Sequence, residues 1–455
     1  MASPWLALAE RIHATSQRAV IAVTGGGVSG IATLLAVPGG SKTLLEAIVP
    51  YSEPSLVDWL VWKPEQFCSE ETALAMAATA YQRAQQLTNN VSAFCDVSPP
   101  YEGGAGGVAS RTGNQIARPP GPLTPSPSPP EGRGEMLIGI GCTATLATNR
   151  PKRGPHRVFI ATHGASVTAV DSLVLEKGVR SRADEETVVG HLLLRVLARA
   201  CSIAEADLPP LELRPREVVT SEREVAHSWL AELCAANPTR RIVWSLRDGS
   251  LIEVLSANNV RSGFPLTPGP SPAAGARGDA SAVRPIGLLS GAFNPLHDGH
   301  RELRAVAEAI LGGSVGYEIS VTNVDKPPLD FITLARRRAQ FTEHPVALTN
   351  APTFAEKAAV LPGTTFVVGA DTAERIVQPK YYGHDLAAMA RALASIRKQG
   401  CRFLVAGRAA GGRFVTLADL AIPPEFADLF TAIPADQFRN DVSSTALRQA
   451  ESREE

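Results

Sequence analysis

Short apolar runs alternate with amphipathic stretches through the last third of the chain. Pro285–Ser290 reads as a strand, and from about Gly299 to Leu311 apolar residues recur at helical spacing. Strand-like Tyr317–Thr322, a helix over Leu334–Phe341, and strand-like Val346–Thr349, Thr365–Gly369 and Arg402–Ala406 follow. Strands alternating with helices predict a parallel sheet covered on both faces, with ligands at the carboxyl ends of the strands. Nearer the start, Val20–Thr24 reads as a strand running into Gly25-Gly26-Gly27-Val28-Ser29-Gly30 and a helix-like stretch. The Leu-rich residues around Glu46 and the stretch Glu222–Cys234 read as helices, and Arg241–Ser245 as a strand. The expected fold class is α/β in two domains.

At 455 residues the chain has room for two domains with separate cores. Pro122-Leu-Thr-Pro-Ser-Pro-Ser-Pro129 recurs as Pro265-Leu-Thr-Pro-Gly-Pro-Ser-Pro272. Alternate prolines remove amide donors and fix φ, so neither copy can enter a sheet or a helix interior. Both read as disordered insertions, with proline-rich recognition motifs as the alternative. The predicted divisions are a first domain over 1–215 with an insertion at about 118–136, a connecting segment over 216–282 ending in a linker at about 262–281, and a second domain over 283–455. Nothing in 216–262 matches a motif.

Composition removes several function classes. A formal net charge of −1 supplies no basic face, so nucleic acid is not an expected partner. Six cysteines, at 68, 95, 142, 201, 234 and 401, form no CxxC pair, which fits a reducing compartment and argues against a zinc or disulfide framework. Glu10, Arg11 and His13 interrupt the N-terminal stretch, so it is not a signal peptide. No apolar run approaches the ~18 residues that span a bilayer. A cytoplasmic protein with no membrane partner is expected.

The segment Gly291-Ala292-Phe293-Asn294-Pro295-Leu296-His297-Asp298-Gly299-His300 carries the most chemistry. It joins a predicted strand to a predicted helix, so backbone N–H groups, a helix N-terminus and two imidazoles converge where an anion can sit. Zinc ligation is the alternative for the pair, but no third ligand stands at suitable spacing. The segment resembles the HxGH signature of the nucleotidylyltransferase superfamily. Ser443-Ser444-Thr445-Ala446-Leu447-Arg448 resembles that superfamily's ISSTxIR element, with an ordinary N-cap as the other reading. Gly369-Ala370-Asp371 resembles its GxD element, and Arg408 stands where the family has a strand-end arginine.

That resemblance implies a Rossmann-like domain in which His297 and His300 contact phosphates. It places Gly291, Phe293, Asn294, Gly299, Gly369, Asp371, Arg408, Ser443, Ser444 and Thr445 on the nucleotide, with Lys326 and Arg448 as further phosphate ligands. A solvated loop lysine is the alternative for Lys326. Asp325-Lys326-Pro327-Pro328, Val367 to Ala373 and Ile433 to Asp441 are similar to a nicotinamide mononucleotide adenylyltransferase-like branch. Where that branch usually has a tryptophan after GxD, this chain has Pro379-Lys380-Tyr381-Tyr382.

The first domain is similar to the C-terminal domain of the CinA family, a nicotinamide mononucleotide amidohydrolase fold. Ala22-Val23-Thr24-Gly25-Gly26 stands for its SCTGG, Val37-Pro38-Gly39-Gly40-Ser41 for its VPGSS-like turn, Tyr51-Ser52-Glu53 for its YSN, and Gly139 to Ala144 for an internal strand-turn. Ala22 replaces the nucleophilic serine and Leu56 the lysine, so hydrolysis is expected to be lost, with residual activity through Ser29 or Ser41 as the alternative. Thr24, Gly25, Gly26 and Tyr51 are the candidate ligand pocket that remains. Gly25–Gly30 satisfies GxGxxG, but no acid is expected on a second strand beyond it, and Ser41 spoils a P-loop at Gly39–Thr43.

The resemblances imply nucleotidyl transfer with pyrophosphate release. Adenylylation of nicotinamide or nicotinate mononucleotide is the expected reaction, with Mg2+ accompanying ATP or CTP. Cytidylyl transfer to a phosphorylated alcohol and a non-catalytic nucleotide-binding regulator are the alternatives. The expected partners are a nucleoside triphosphate and a small phosphorylated substrate, and a homo-oligomer is allowed.

Overall fold

A computed structural model describes residues 3–94, 136–149, 153–235, 238, 241–256, 259–262, 285–410 and 413–439. Both proline-rich repeats and Ser443, Ser444, Thr445 and Arg448 lie outside the described residues.

The first unit begins with α1 (Pro4–His13), β1 (Gln17–Thr24), α2 (Val28–Leu35), α3 (Gly40–Thr43) and β2 (Leu44–Ile48). It continues with α4 (Glu53–Leu60), α5 (Glu70–Phe94), β3 (Met136–Thr145), β4 (His156–Gly164), β5 (Val167–Leu175), α6 (Arg182–Ala200) and β6 (Val219–Val225). Its sheet runs β2-β1-β3-β4-β5-β6, parallel across β2, β1 and β3 and antiparallel from β3 onward. α5 lies directly on β3, and two glycines allow it. A Cβ at Gly139 would meet the Ala77 carbonyl at 2.1 Å, and one at Gly141 the Ala73 carbonyl at 2.3 Å.

The second unit opens with α7 (Ser228–Leu233), β7 (Ile242–Ser245), β8 (Leu251–Ser256), β9 (Asn259–Ser262) and β10 (Gly287–Ser290). Then come α8 (Asp298–Leu311), β11 (Val315–Ser320), α9 (Phe331–Arg338), β12 (Val346–Thr349), α10 (Phe354–Val360) and β13 (Thr365–Gly369). α11 (Ala370–Ile376), α12 (Leu386–Lys398), β14 (Arg402–Ala406), a small β15 (Arg408–Ala410) and β16 (Arg413–Val415) hairpin, and β17 (Phe430–Ala432) complete it. The sheet order is β17-β14-β13-β10-β11-β12-β7-β8-β9. It is parallel from β17 to β12, and β7, β8 and β9 extend it antiparallel. β11 and β12 are buried at every residue, as strands covered by helices on both faces must be.

Both units are α/β, and both sheets contain parallel strands. Four expectations need correction. Glu46 lies on β2, not on a helix, because five apolar-rich residues suffice for an edge strand but not for a stable helix. It thus does sit on a second strand beyond the glycine turn, yet Arg83 of α5 holds its carboxylate at 2.9 Å. Glu222 belongs to β6; only Ser228–Leu233 is helical, because the polar edge strand pairs with β5 before His227 caps the helix at the Trp229 amide. Gly139 to Ala144 form continuous strand with no turn, their glycines serving the α5 contact. Residues 216–262, expected as a connector, supply β6 to one sheet and β7, β8 and β9 to the other. Among the described residues no helix is long and apolar enough to cross a membrane.

Candidate active site

β10 ends at Ser290, in the middle of the parallel sheet, and the chain turns there into α8. Gly291 permits the turn: a Cβ there would meet the Phe293 ring at 2.9 Å. Phe293 has φ +46°, a left-handed conformation that costs a non-glycine residue about 1–2 kcal/mol. Burial compensates, since its ring is 1% exposed and packs edge-on against Tyr317, Phe341 and His300 at centroid distances of 5.3, 5.4 and 5.0 Å.

His297 is the N-cap residue of α8, and its own amide donates to His300 Nδ1 at 3.3 Å. The rings stack with centroids 3.8 Å apart. Burial, aided by His297, Arg408 and Arg301, pushes His300 down to about 3, and burial also lowers His297. Both are therefore uncharged near neutral pH. With its Nδ1 accepting, neutral His300 carries its proton on Nε2, ready to donate. His297 Nδ1 and Ser290 Oγ are buried and have no hydrogen-bond partner among the described residues.

These groups line a cavity of about 780 Å³, within the range of small-molecule sites. Lys326 and Gly369 line it as well. Asp371 and Arg408 are also there, but they bind each other, Arg408 Nη1 donating to Asp371 Oδ2 at 3.0 Å. Gly299 is buried in the first turn of α8. Asn294 reaches towards the first unit, donating to Glu71 at 3.4 Å. Among the described residues no group of three or more His, Cys, Asp or Glu side chains is arranged to hold a metal ion.

Sequence reasoning missed several cavity residues. Ser290 had a signal, being the last strand residue before the motif. Lys357 pairs with fully buried Glu318 at 2.7 Å, and Trp62 arrives from the first unit; neither has a local signature. The candidate pocket in the first unit is arranged differently from expectation. The Glu186 carboxylate already accepts from the Gly27 amide at 3.0 Å and the Ser29 amide at 2.9 Å. Arg182 bridges the Gly25 carbonyl at 3.0 Å and the Tyr51 hydroxyl at 3.4 Å. Thr24 is buried, and Gly26 packs under Leu146 and Ala144. The glycine turn therefore meets an internal carboxylate, and Ser29 Oγ donates to the Glu186 carbonyl.

Neither a protein-family model nor a curated protein matches the chain. Among solved structures, it is similar to the competence/damage inducible protein CihA from Agrobacterium tumefaciens, at 16% identity and a TM-score of 0.26. That similarity covers 46% of this chain and 97% of the other. A likeness this distant assigns neither fold family nor activity.

Proposed function

We propose that the second unit is a Rossmann-like nucleotidylyltransferase domain transferring a nucleoside monophosphate from a triphosphate to a phosphorylated acceptor. Adenylylation of nicotinamide or nicotinate mononucleotide in NAD biosynthesis is the specific reaction proposed. One observation carries this reading. Two buried polar atoms, His297 Nδ1 and Ser290 Oγ, lack partners among the described residues beside a neutral imidazole donor at a helix N-terminus. An unsatisfied buried polar atom costs about 1–3 kcal/mol, which the oxygens of a bound phosphate would offset.

In the proposed reaction an acceptor phosphate oxygen bonds to the α-phosphorus in line. The bond from that phosphorus to the bridging oxygen breaks, and its electron pair leaves with pyrophosphate. His300 Nε2–H and the Lys326 and Arg408 cations stabilise charge moving onto the departing oxygens. Mg2+ would accompany the triphosphate, held by phosphate oxygens and water, which suits a site whose Asp371 is already paired with Arg408. By resemblance, Ser443, Ser444, Thr445 and Arg448 would add ligands.

The first unit is proposed to be a CinA C-terminal-like domain that has lost amide hydrolysis and serves as scaffold. Ala22 and Leu56, at the places of the family's serine and lysine, are buried together in one apolar cluster, which supports that loss.

A pyrophosphate-release assay pairing ATP or CTP with nicotinamide mononucleotide, nicotinate mononucleotide and a phosphorylated alcohol tests the proposal. Release with ATP and a mononucleotide is the expected result. A preference for CTP with the alcohol would transfer the assignment to cytidylyl chemistry. No release from any pair, with ATP still bound, would make the protein a nucleotide-binding regulator.

A further inference from the structure

The cavity beside His297 is built by both halves of the chain. Trp62, Glu71 and Ala75 of the first unit line it together with the signature loop. The halves meet through packed contacts around α9. Ile332 is buried with Ala73, Leu74 and Val170, the Phe331 amide donates to Thr168 Oγ1 at 3.1 Å, and Arg336 pairs with Glu70 and Glu222. These contacts fix the first-unit wall beside the loop.

Trp62 itself is anchored. It is partly buried against the apolar cluster of Ala22, Leu56, Leu60 and Met76, and the chain beyond it is pinned where Thr143 Oγ1 donates to the Phe67 carbonyl at 2.7 Å. The other aromatic side chains lining the cavity are already engaged. Phe293 packs on His300, Tyr381 lies under Arg375 and Lys380, Phe354 lies under Lys357, Tyr382 donates its hydroxyl to the Ile376 carbonyl, and Phe438 is in the core. Trp62 is half-buried, lines the cavity and makes no ring or cation contact among the described residues.

In the proposed transfer reaction, on which this step rests, the acceptor phosphate must approach the α-phosphorus beside the histidines. The rest of the acceptor extends away from them, towards the remaining walls. We infer that Trp62 receives a planar ring of the acceptor, so that the first unit sets acceptor specificity for chemistry done by the second. The acceptor class is a phosphomonoester bearing a flat heteroaromatic ring, held by stacking on the indole.

The test compares the full chain with its Trp62→Leu and Trp62→Phe variants. ATP is paired with nicotinamide mononucleotide or with ribose 5-phosphate, which lacks the ring, and nicotinamide mononucleotide binding is measured separately by equilibrium dialysis without ATP. Loss of a base–aromatic stack predicts that Trp62→Leu raises KM for the mononucleotide about tenfold or more, with KM for ATP and for ribose 5-phosphate unchanged. Trp62→Phe should recover most of the loss. An equal rise for both acceptors would reassign Trp62 to a structural role and overturn the inference. Turnover with an unaltered mononucleotide KM in Trp62→Leu would also overturn it, leaving the transfer reaction standing. Mononucleotide binding that weakens in Trp62→Leu, without turnover in any protein, would remove the reaction and retain the Trp62 contact. Neither binding nor turnover in the unsubstituted chain would remove both.

Discussion

The Gln340 side chain holds the backbone of Phe293 in place: its Nε2 donates to the Phe293 carbonyl at 3.0 Å, while its Oε1 accepts from the Leu296 amide at 2.7 Å. One amide thus bridges the loop that carries Phe293 in its left-handed conformation. Gln340→Ala should therefore destabilise the second unit by about 1–3 kcal/mol through unsatisfied backbone groups and lower kcat for pyrophosphate release. Thermal melting and steady-state assays read the two effects. An unchanged melting temperature together with unchanged kcat would show that the loop holds itself.

His300→Ala should abolish turnover and leave the fold intact, since the ring contributes a donor on the cavity side. Circular dichroism and the pyrophosphate assay check both parts. Full activity in this variant would refute the proposed chemistry.

Acid stability supplies a separate test of the same ring. Folded His300 is held near 3, against about 6.5 for an exposed histidine. Above 6.5 both states are neutral and contribute nothing. As pH falls below 6.5 the unfolded chain gains a proton that the folded chain refuses, so stability drops by at most about 1.4 kcal/mol per pH unit until about 3. His300→Gln removes this term. Urea unfolding at pH 7.5 and 5.5 should show the natural sequence losing on the order of 1 kcal/mol more than the variant.

Gly141→Ala should push α5 off β3, because the new Cβ would stand 2.3 Å from the Ala73 carbonyl. Overpacking of this kind costs about 1–3 kcal/mol, and more where backbone must move. Denaturant unfolding of the first unit reads it. A neutral result would mean that the helix slides with little penalty.

Glu186→Ala should loosen the glycine turn by leaving the Gly27 and Ser29 amides without their acceptor. A loss of about 1–3 kcal/mol is expected, and Glu186→Gln, which keeps one carbonyl oxygen, should lose less. Comparing the two melting temperatures is sufficient. Equal values would indicate that charge, rather than acceptance, holds the turn.

The centre of the second unit was legible because its signals are local. A buried strand, a glycine-containing turn and an amphipathic helix lie consecutively from Gly287 to Leu311, and Thr365–Gly369 leads straight into Asp371. Long-range pairings were not legible. Glu186 reaches Ser29 across 157 residues of sequence, and β7 joins β12 with nothing in Ile242–Ser245 to announce its neighbour. The run Leu44–Ile48 failed for another reason: at that length the apolar period cannot separate helix from strand. Asp371 and Arg408 were both visible as site residues, but their mutual pairing depends on strand order that no motif encodes.

With Ile332 sealed against Ala73 and Leu74, α9 has one face committed to each half of the molecule. A fragment beginning after the second proline-rich repeat would uncover that greasy patch and lose Glu71, which accepts from Asn294 in the loop before α8. The joined halves have in that sense become mutually dependent, and recombination that parted them would strand each with an unfinished surface.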